Sequence, residues 1–441
     1  MPRTTLFRHL LQQRHLTTYE AFSAQFELSA AKLAELDGDQ RLASLQVSSR
    51  QFDRWLGGEL RGLPRPDACR VLEYMLGRPV SELFSVPGGR DDARTTQTPP
   101  SCPPPRDPGD SPLEIVARAH HLTASNADDA TLALLGSSLE TVTARYEQDG
   151  PHALRPETRS LRRLAHILLD GRQPPRVRQE LFRLAARASG LLGYMAVNTG
   201  DFALAEAYCT EALDLSRAID DRDTELWASG TLSFGLYYAG RYGEADACAA
   251  AAVEQAPSSA QSIRLLVNGR ARALAKTGDR RASEHAIGQA LDLSDGHDVP
   301  VGLTSCISFD PYGRARTLAN AVTAHLALHD TAQVLSDAER IDDLVEHSDS
   351  SWTRALVRLD VSTALLRQRT PDLDHAMTLG QEALRLCGGS PIRSVWQRAN
   401  ELYEQARPWR KYPAVGQYGD ELRAWSSQPA ALAMSSRSRA V

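Results

Sequence analysis

Apolar residues recur every three or four positions along most of the chain, the spacing that places them on one side of an α-helix. In residues 1–86, capping residues and glycine or proline stops divide this pattern into separate helices. The second helix either runs unbroken to about Leu36 or breaks into two shorter helices near Leu28. The first predicted helix ends near Arg14, and the second begins at Thr17 or Thr18. The third covers residues 48–56, the fourth begins at Pro66, and a short helix at residues 80–84 closes the region.

The stretch 48–56 separates its apolar and polar residues most clearly. Ser48 and Gln51 have the spacing of a capping box, in which each side chain accepts a hydrogen bond from the other residue's backbone. Phe52 and Trp55 lie three positions apart, so they share one face and can be buried together. The remaining polar side chains cluster at the N-terminal end of this helix.

These are the properties of a recognition helix in a helix-turn-helix, which needs an apolar rear face and an exposed first turn with long donors for bases and phosphates. An ordinary amphipathic surface helix with two arginines has the same pattern. On the first interpretation, the residues predicted to contact DNA are Ser48, Ser49, Arg50, Gln51 and Arg54.

The order of residues from Val47 to Phe84 resembles the XRE-type (phage-repressor-like) helix-turn-helix family. The matching elements, in order, are Val47-Ser48, Trp55, Gly58, Pro66, Leu76-Gly77 and the run from Val80 to Phe84. The resemblance implies that residues 1–86 form a helical domain that binds double-stranded DNA. One departure precedes Val47, where roughly ten to twenty residues replace the family's turn of only a few.

A proline-rich segment, residues 87–112, follows this domain. Its composition cannot build a hydrophobic core, which predicts a disordered, flexible linker. The helical pattern resumes over residues 113–425, and the last residues, 426–441, are predicted to be a disordered tail.

Glycine turns recur about forty residues apart in this second helical region, at Gly200, Gly240 and Gly278. A small residue follows each glycine by five positions, and another follows seven positions later. These pairs are Ala205 and Ala212, Ala245 and Ala252, and Ser283 and Ala290.

The pattern resembles the tetratricopeptide repeat (TPR), in which paired helices cross so closely that small residues are needed at the crossing. Leu192-Gly193 followed by Ala205 and Ala212 is the best match, although the spacing exceeds the usual thirty-four residues. The resemblance implies a TPR-like α-solenoid and an all-α chain. The whole arrangement resembles a large group of actinobacterial transcriptional regulators.

If the array binds a ligand, we expect it to use the inner face formed by the first helix of each repeat. Amide, cationic and aromatic side chains there would suit a peptide with acidic groups, a small ligand or a protein partner. Alternatively, these side chains line a solvated groove or pack on neighbouring repeats. The predicted residues are Arg187, Tyr194, Asn198, Phe234, Tyr238, Asn268, Arg272 and Lys276.

Composition adds little to the case for DNA binding. The 441-residue chain has a net charge of -5, and residues 1–86 hold eleven basic against ten acidic side chains, whereas DNA-binding domains are often basic. The six scattered cysteines favour reduced thiols in a cytoplasm over disulfides or a zinc site. Without an apolar run of eighteen residues or a signal core, we expect neither a membrane partner nor secretion.

The sequence lacks a Walker phosphate loop, a dinucleotide fingerprint, a Gly-x-Ser-x-Gly elbow and a His-Glu-x-x-His motif. His325 and His329 lie four positions apart, but no third metal ligand is evident. We therefore predict no catalytic residue, metal or cofactor.

Two functions follow as hypotheses. The first is a cytoplasmic transcriptional regulator, associated with the nucleoid when bound to DNA and by default a homodimer on two half-sites. The second is a TPR adaptor whose degenerate helix-turn-helix does not bind DNA. The near-neutral charge of residues 1–86 favours the adaptor slightly, whereas the intact pattern at 48–56 favours the regulator more strongly.

Overall fold

The computed structural model describes residues 5–14, 16–37, 39–58, 63–85, 111–348, 350–388, 391–428 and 431. Every regular element in these ranges is helical, which confirms the all-α prediction for the described part of the chain. The chain divides into two compact units, Met1–Gly109 and Asp110–Val441. The predicted linker up to residue 110 and most of the predicted tail lie outside the described residues.

The first unit begins with α1, and α2 is a single helix, so the alternative of a break near Leu28 is wrong. Residues 38–48 connect α2 to α3 and include a short 3₁₀ turn, Leu42–Ser44. The helices described in this unit are α1 (Leu6–Gln13), α2 (Tyr19–Asp37), α3 (Ser49–Leu56), α4 (Pro66–Leu76) and α5 (Val80–Leu83).

An aromatic cluster joins α1, α2 and α3. The ring centres of Phe22 and Phe52 lie 4.8 Å apart, and Phe7 lies 6.0 Å from Phe22 and 6.4 Å from Trp55. These four side chains are at most 5% exposed. Since burying one large apolar side chain contributes about 1.5–3 kcal/mol, this cluster fixes α3 against the other helices.

The C-terminal end of α4 is closed by two residues. Gly77 adopts a left-handed conformation with φ of 68°, which ends the helix at the predicted stop. From α1, Arg14 Nη1 donates a hydrogen bond to the Met75 carbonyl at 2.6 Å and so satisfies a carbonyl that the helix leaves unpaired.

The second unit is a succession of helices, each packed against the next. The longest, α7, changes direction at Gly150, whose φ of 78° is not helical. A π-helical segment, Leu265–Ala271, separates α12 from α13. The helices are α6 (Pro112–Thr123), α7 (Asp129–Leu169), α8 (Pro175–Asn198), α9 (Phe202–Arg217), α10 (Arg222–Tyr238), α11 (Tyr242–Gln255), α12 (Ser262–Arg264), α13 (Arg272–Thr277), α14 (Arg280–Gly296), α15 (Arg314–Ala327), α16 (Thr331–Glu346), α17 (Ser351–Leu366), α18 (Leu373–Cys387), α19 (Arg393–Gln405) and α20 (Pro413–Ser426).

Left-handed residues mark the turns within successive helix pairs. Gly200, Gly240 and Gly278 have φ values of 75°, 80° and 85°, which glycine adopts without steric cost. At the turn between α15 and α16, His329 takes the same conformation with φ of 59°. The small residues predicted after the three glycines are all buried, so the turns and close helix crossings fall where the pattern placed them.

The first helices of these pairs form an inner row, consisting of α8, α10, the π segment with α13, α15, α17 and α19. Neighbours in this row contact one another in series, and α19 contacts α8. Tyr146 in α7 also meets Trp352 in α17 edge-to-face at 5.3 Å. The inner row therefore curves back on itself around an interior space.

Candidate functional site

The first turn of α3 presents an exposed polar face. The backbone N–H of Ser48 donates to Gln51 Oε1 at 3.0 Å, and the Gln51 N–H donates to Ser48 Oγ at 3.4 Å. The predicted capping box is therefore formed, and it satisfies N–H groups at the helix start. All five residues predicted to contact DNA are exposed: Ser48, Ser49, Arg50, Gln51 and Arg54.

The opposite face of α3 is fixed by burial. Phe52 and Trp55 are 2% and 5% exposed, as their spacing predicted. Immediately before the helix, Tyr19 Oη donates to the Val47 carbonyl at 3.0 Å. The helix is thus held along its rear face and at its N-terminal flank, while its first turn stays accessible.

Two arginines give this face its positive charge. Neither Arg50 nor Arg54 forms an ion pair with a described residue. By contrast, Arg41 and Arg70 both lie close to Asp39, at 3.0 and 3.7 Å. The hydrogen bond that Arg41 donates lowers the pKa of Asp39, so this carboxylate stays charged and offsets those two cations.

In the second unit, the helices of the inner row line two adjoining hollows. Together they are called the central cavity below. They share a partition to which α10, α13, α15 and α19 each contribute one residue. These residues are Tyr238, Arg272, Thr323 and Arg398.

Arg272 lies at the centre of this partition and is only 3% exposed. Its Nη2 donates to Tyr238 Oη at 2.9 Å, its Nη1 donates to Asn268, and its guanidinium lies 4.3 Å from the ring centre of Tyr237. Burial disfavours the charge, but the phenols of Tyr238 and Tyr237 outweigh it and raise the pKa of Arg272. Arg272 therefore stays cationic, although no described carboxylate pairs with it.

Asp360 supplies a buried carboxylate to this interior. It lies 2.9 Å from Arg398 Nε and accepts a hydrogen bond from Thr323 Oγ1 at 2.7 Å. Burial raises the pKa of Asp360, although Arg398 opposes the shift. Arg398 thus forms an ion pair with Asp360, and the nearby charge of Arg272 also lowers the pKa of this carboxyl.

Arg316, in α15, is a second buried cation without a carboxylate partner among the described residues. Its Nη1 donates to Thr353 Oγ1 at 2.6 Å, and its Nη2 donates to the Thr304 carbonyl. The Nε groups of Arg316 and Arg272 have no acceptor in the described part of the chain. The central cavity is therefore lined by two guanidinium groups that form no ion pair with a described carboxylate.

Six of the eight residues predicted to bind a ligand line the central cavity. They are Tyr194, Phe234, Tyr238, Asn268, Arg272 and, on the exposed side of one hollow, Lys276. The other two lie elsewhere. Asn198 is buried and donates to Tyr146 Oη at 2.8 Å, and Arg187 lies 5.1 Å from the ring centre of Phe309 in a separate hollow.

The polar residues that line the cavity include four that the sequence did not predict and that come from α15, α17 and α19: Arg316, Thr323, Asp360 and Arg398. A local signal existed for Asp360, which is the one charged residue between Leu359 and Leu366. Nothing local indicated that α19 returns to α8, and that return brings these residues opposite Tyr194 and Phe234.

The side chains of His325, Cys209 and Cys248 occupy packing positions in the second unit. His325 is buried with Nε2 3.4 Å from Asp337 Oδ2, whereas His329 occupies the adjoining turn. Burial raises the pKa of Cys209 to about 12 and that of Cys248 to about 11, which makes both thiols poor nucleophiles. Within the described ranges, no group of three or more His, Cys, Asp or Glu is arranged to hold a metal ion.

No protein-family model matches the chain, and no curated protein matches it. Among the helices described, none combines the length and apolar character needed to cross a membrane.

Proposed function

We propose that this protein is a DNA-binding transcriptional regulator whose first unit is a helix-turn-helix domain and whose recognition helix is α3. The observation that carries the proposal is the division of α3 into a buried aromatic face and an exposed polar face, on which Arg50 and Arg54 form no ion pair with a described residue. Arginine suits the acceptors of guanine, and glutamine pairs with adenine, in the major groove. Ser48 and Ser49 would contact phosphates, which position the helix without reading the sequence.

In the same proposal, the second unit is a TPR-like array that binds a ligand inside the central cavity. The left-handed turns and the buried small residues at successive helix crossings support the repeat interpretation. The convergence of six predicted residues on one interior space supports ligand binding. We assign the sensing role to this unit because polar groups that converge in a concave site are typical of small-molecule sites.

The test uses the full chain and sheared genomic DNA from the organism that encodes it. Bound fragments are sequenced, and the affinity for an enriched fragment is measured at increasing salt. We expect a shared short motif among the fragments and an affinity that falls as salt rises, because phosphate contacts release counterions. Uniform recovery of all fragments, or an affinity that salt does not change, would contradict the proposal.

A second candidate is an adaptor that does not bind DNA. It is favoured by the charge balance of the first unit, in which Asp39 offsets Arg41 and Arg70 and the exposed Asp53 lies on α3 itself. The adaptor predicts that Arg50→Ala changes no measured DNA affinity, because there is none to change. Measuring the DNA affinity of the wild type and of Arg50→Ala therefore separates the regulator from the adaptor.

A further inference from the structure

We propose that the central cavity binds a small organic anion, in which a carboxylate or phosphate group is attached to a flat or apolar body. Arg272, Arg316 and Arg398 hold the acidic group, and aromatic side chains enclose the body. This inference rests on the proposed ligand-binding role of the second unit, and it does not depend on DNA binding by the first.

The charge of the hollow lined by Tyr312 and Trp352 points to an anion. Its lining includes Arg272, Arg316 and Arg398, and Asp360 pairs with Arg398. A buried cation without a partner costs free energy, because the protein interior solvates charge poorly. An acidic ligand would supply the counter-charge that Arg272 and Arg316 lack.

The guanidinium groups of Arg272 and Arg316, which form no ion pair with a described carboxylate, are also held in fixed orientations. Tyr238 and Asn268 hold Arg272, while Thr353 and the Thr304 carbonyl hold Arg316. A planar guanidinium matches the paired oxygens of a carboxylate or phosphate, so a fixed orientation favours two-point recognition.

The backbone next to Arg272 departs from regular helix geometry. The π-helical segment Leu265–Ala271 ends at the residue before Arg272 and contains Asn268. A π segment accommodates an extra residue in the helix and changes the direction of the side chains that follow, and such segments occur frequently at functional sites. Asn268, within this segment, accepts a hydrogen bond from Arg272 beside the cavity.

Aromatic walls define the rest of the ligand. The rings of Tyr194 and Phe234 stack at 5.5 Å with an interplanar angle of 11°, and Tyr312 and Trp352 line the same hollow. All four side chains are less than 8% exposed. These surfaces favour a flat or apolar body, since a strongly hydrated ligand would lose its water shell without replacement.

The enclosure excludes an extended peptide as the occupant. The inner row closes where α19 contacts α8, and the segment before α15 contributes Cys306 and Tyr312 to the lining of the hollow. This segment is held by Trp227 Nε1, which donates to the Ser308 carbonyl at 2.7 Å, and by Gln261 Nε2, which donates to the Phe309 carbonyl at 2.6 Å.

The test is isothermal titration calorimetry of the full chain with benzoate, phenyl phosphate, citrate and inorganic phosphate. Benzamide and phenol serve as uncharged counterparts. We expect an aromatic anion to bind and its uncharged counterpart not to bind, and the comparison of benzoate with phenyl phosphate identifies the preferred acidic group. Equal binding of the uncharged compounds, or binding of none of the four anions, would overturn the proposal.

Matched variants place the binding in the cavity. Arg272→Met and Arg316→Met should weaken the best anion at least tenfold. Their controls are Arg270→Met and Arg314→Met, whose guanidinium groups pair with Asp246 and Asp295 away from the cavity lining. These controls should keep wild-type affinity, and an equal loss in them would overturn the proposal.

Two further variants distinguish anion binding by Arg272 and Arg316 from a purely structural role of these arginines. Arg272→Gln and Arg316→Gln keep a donor for the neighbouring oxygen atoms but lose the charge. We expect both to unfold within a few degrees of the wild-type Tm and to lose anion binding, whereas a lower Tm with unchanged anion affinity would overturn the proposal. DNA affinity is measured on the same samples, so failure of anion binding with DNA binding intact counts against the cavity assignment alone.

Discussion

The backbone of Gly193 in α8 passes so close to Cys209 in α9 that a β-carbon on Gly193 would lie 2.8 Å from the cysteine sulfur. Both residues are buried, and Cys209 is itself 0% exposed. The helices α8 and α9, the first pair joined by a left-handed glycine, therefore pack as closely as the hydrogen side chain of Gly193 allows. Small residues at this crossing therefore determine how closely the helices approach.

Gly193→Ala should destabilise the second unit by about 1–3 kcal/mol, because the new methyl group forces Cys209 or the helices to move. The matched control is Gly288→Ala in α14, where an added β-carbon meets no atom within 4 Å. This control should stabilise by about 0.5–1 kcal/mol, since alanine loses less backbone entropy than glycine. Urea unfolding followed by circular dichroism measures both changes, and equal effects would contradict the close crossing.

Ser48→Ala should loosen the start of α3 without unfolding the first unit. Removing an N-cap hydroxyl costs about 1 kcal/mol, which corresponds to roughly a fivefold faster local opening. Amide hydrogen exchange of the full chain, read by mass spectrometry in peptides that cover residues 49–56, measures this change. Ser49→Ala is the control, because Ser49 is exposed and has no role in the capping box, and equally fast exchange in it would count against the cap.

Gln51 has two roles that a suitable substitution separates. Gln51→Ala would remove both the capping acceptor and the proposed base contact, whereas Gln51→Glu keeps an acceptor for the Ser48 N–H. We expect Gln51→Glu to keep wild-type hydrogen exchange in α3 but to bind the selected DNA at least tenfold more weakly, because a carboxylate faces acceptors and phosphates. Unchanged affinity with unchanged exchange would remove Gln51 from the DNA contacts.

His325 should make the stability of the second unit depend on pH. Burial lowers the pKa of His325 below its ordinary value of 6.5, although Asp337, Asp330 and Glu284 oppose the shift. The unfolded chain therefore binds the proton more readily, so stability is lost as pH falls from about 6.5 towards the lowered pKa.

Urea unfolding at pH 7.5 and pH 5.5 measures this effect in the full chain and in His325→Gln. The free energy of unfolding should fall less in the variant than in the wild type over this interval. Equal falls would show that His325 does not resist protonation in the folded chain.

The local sequence predicted α3 well because its determinants are close together in the chain. The cap at Ser48, the buried pair Phe52 and Trp55, and the stop at Gly77 all depend on residues within one or two helices. Whether α2 is continuous could not be predicted from the sequence, since one long helix and two shorter helices bury the same apolar stripe.

The central cavity was predicted only in part because it depends on closure over more than two hundred residues. Tyr194, Phe234 and Arg272 follow from the repeat pattern of three successive helix pairs. Arg316 and Arg398 reach the same space only because the inner row returns to α8. The sequence pattern also misassigned Asn198 to this face, since its partner Tyr146 lies in α7, outside the repeat pattern.

The central claim is that α3 contacts DNA through Arg50 and Arg54. Fluorescence anisotropy on a duplex selected from genomic DNA tests it most directly, with Arg50→Ala, Arg54→Ala and the control Arg78→Ala, whose guanidinium pairs with Glu82 beyond α4. Each α3 variant should bind roughly 5- to 150-fold more weakly, as expected for losing about 1–3 kcal/mol per base contact, while Arg78→Ala binds like the wild type. Wild-type affinity in both α3 variants would contradict the assignment of α3 as the recognition helix.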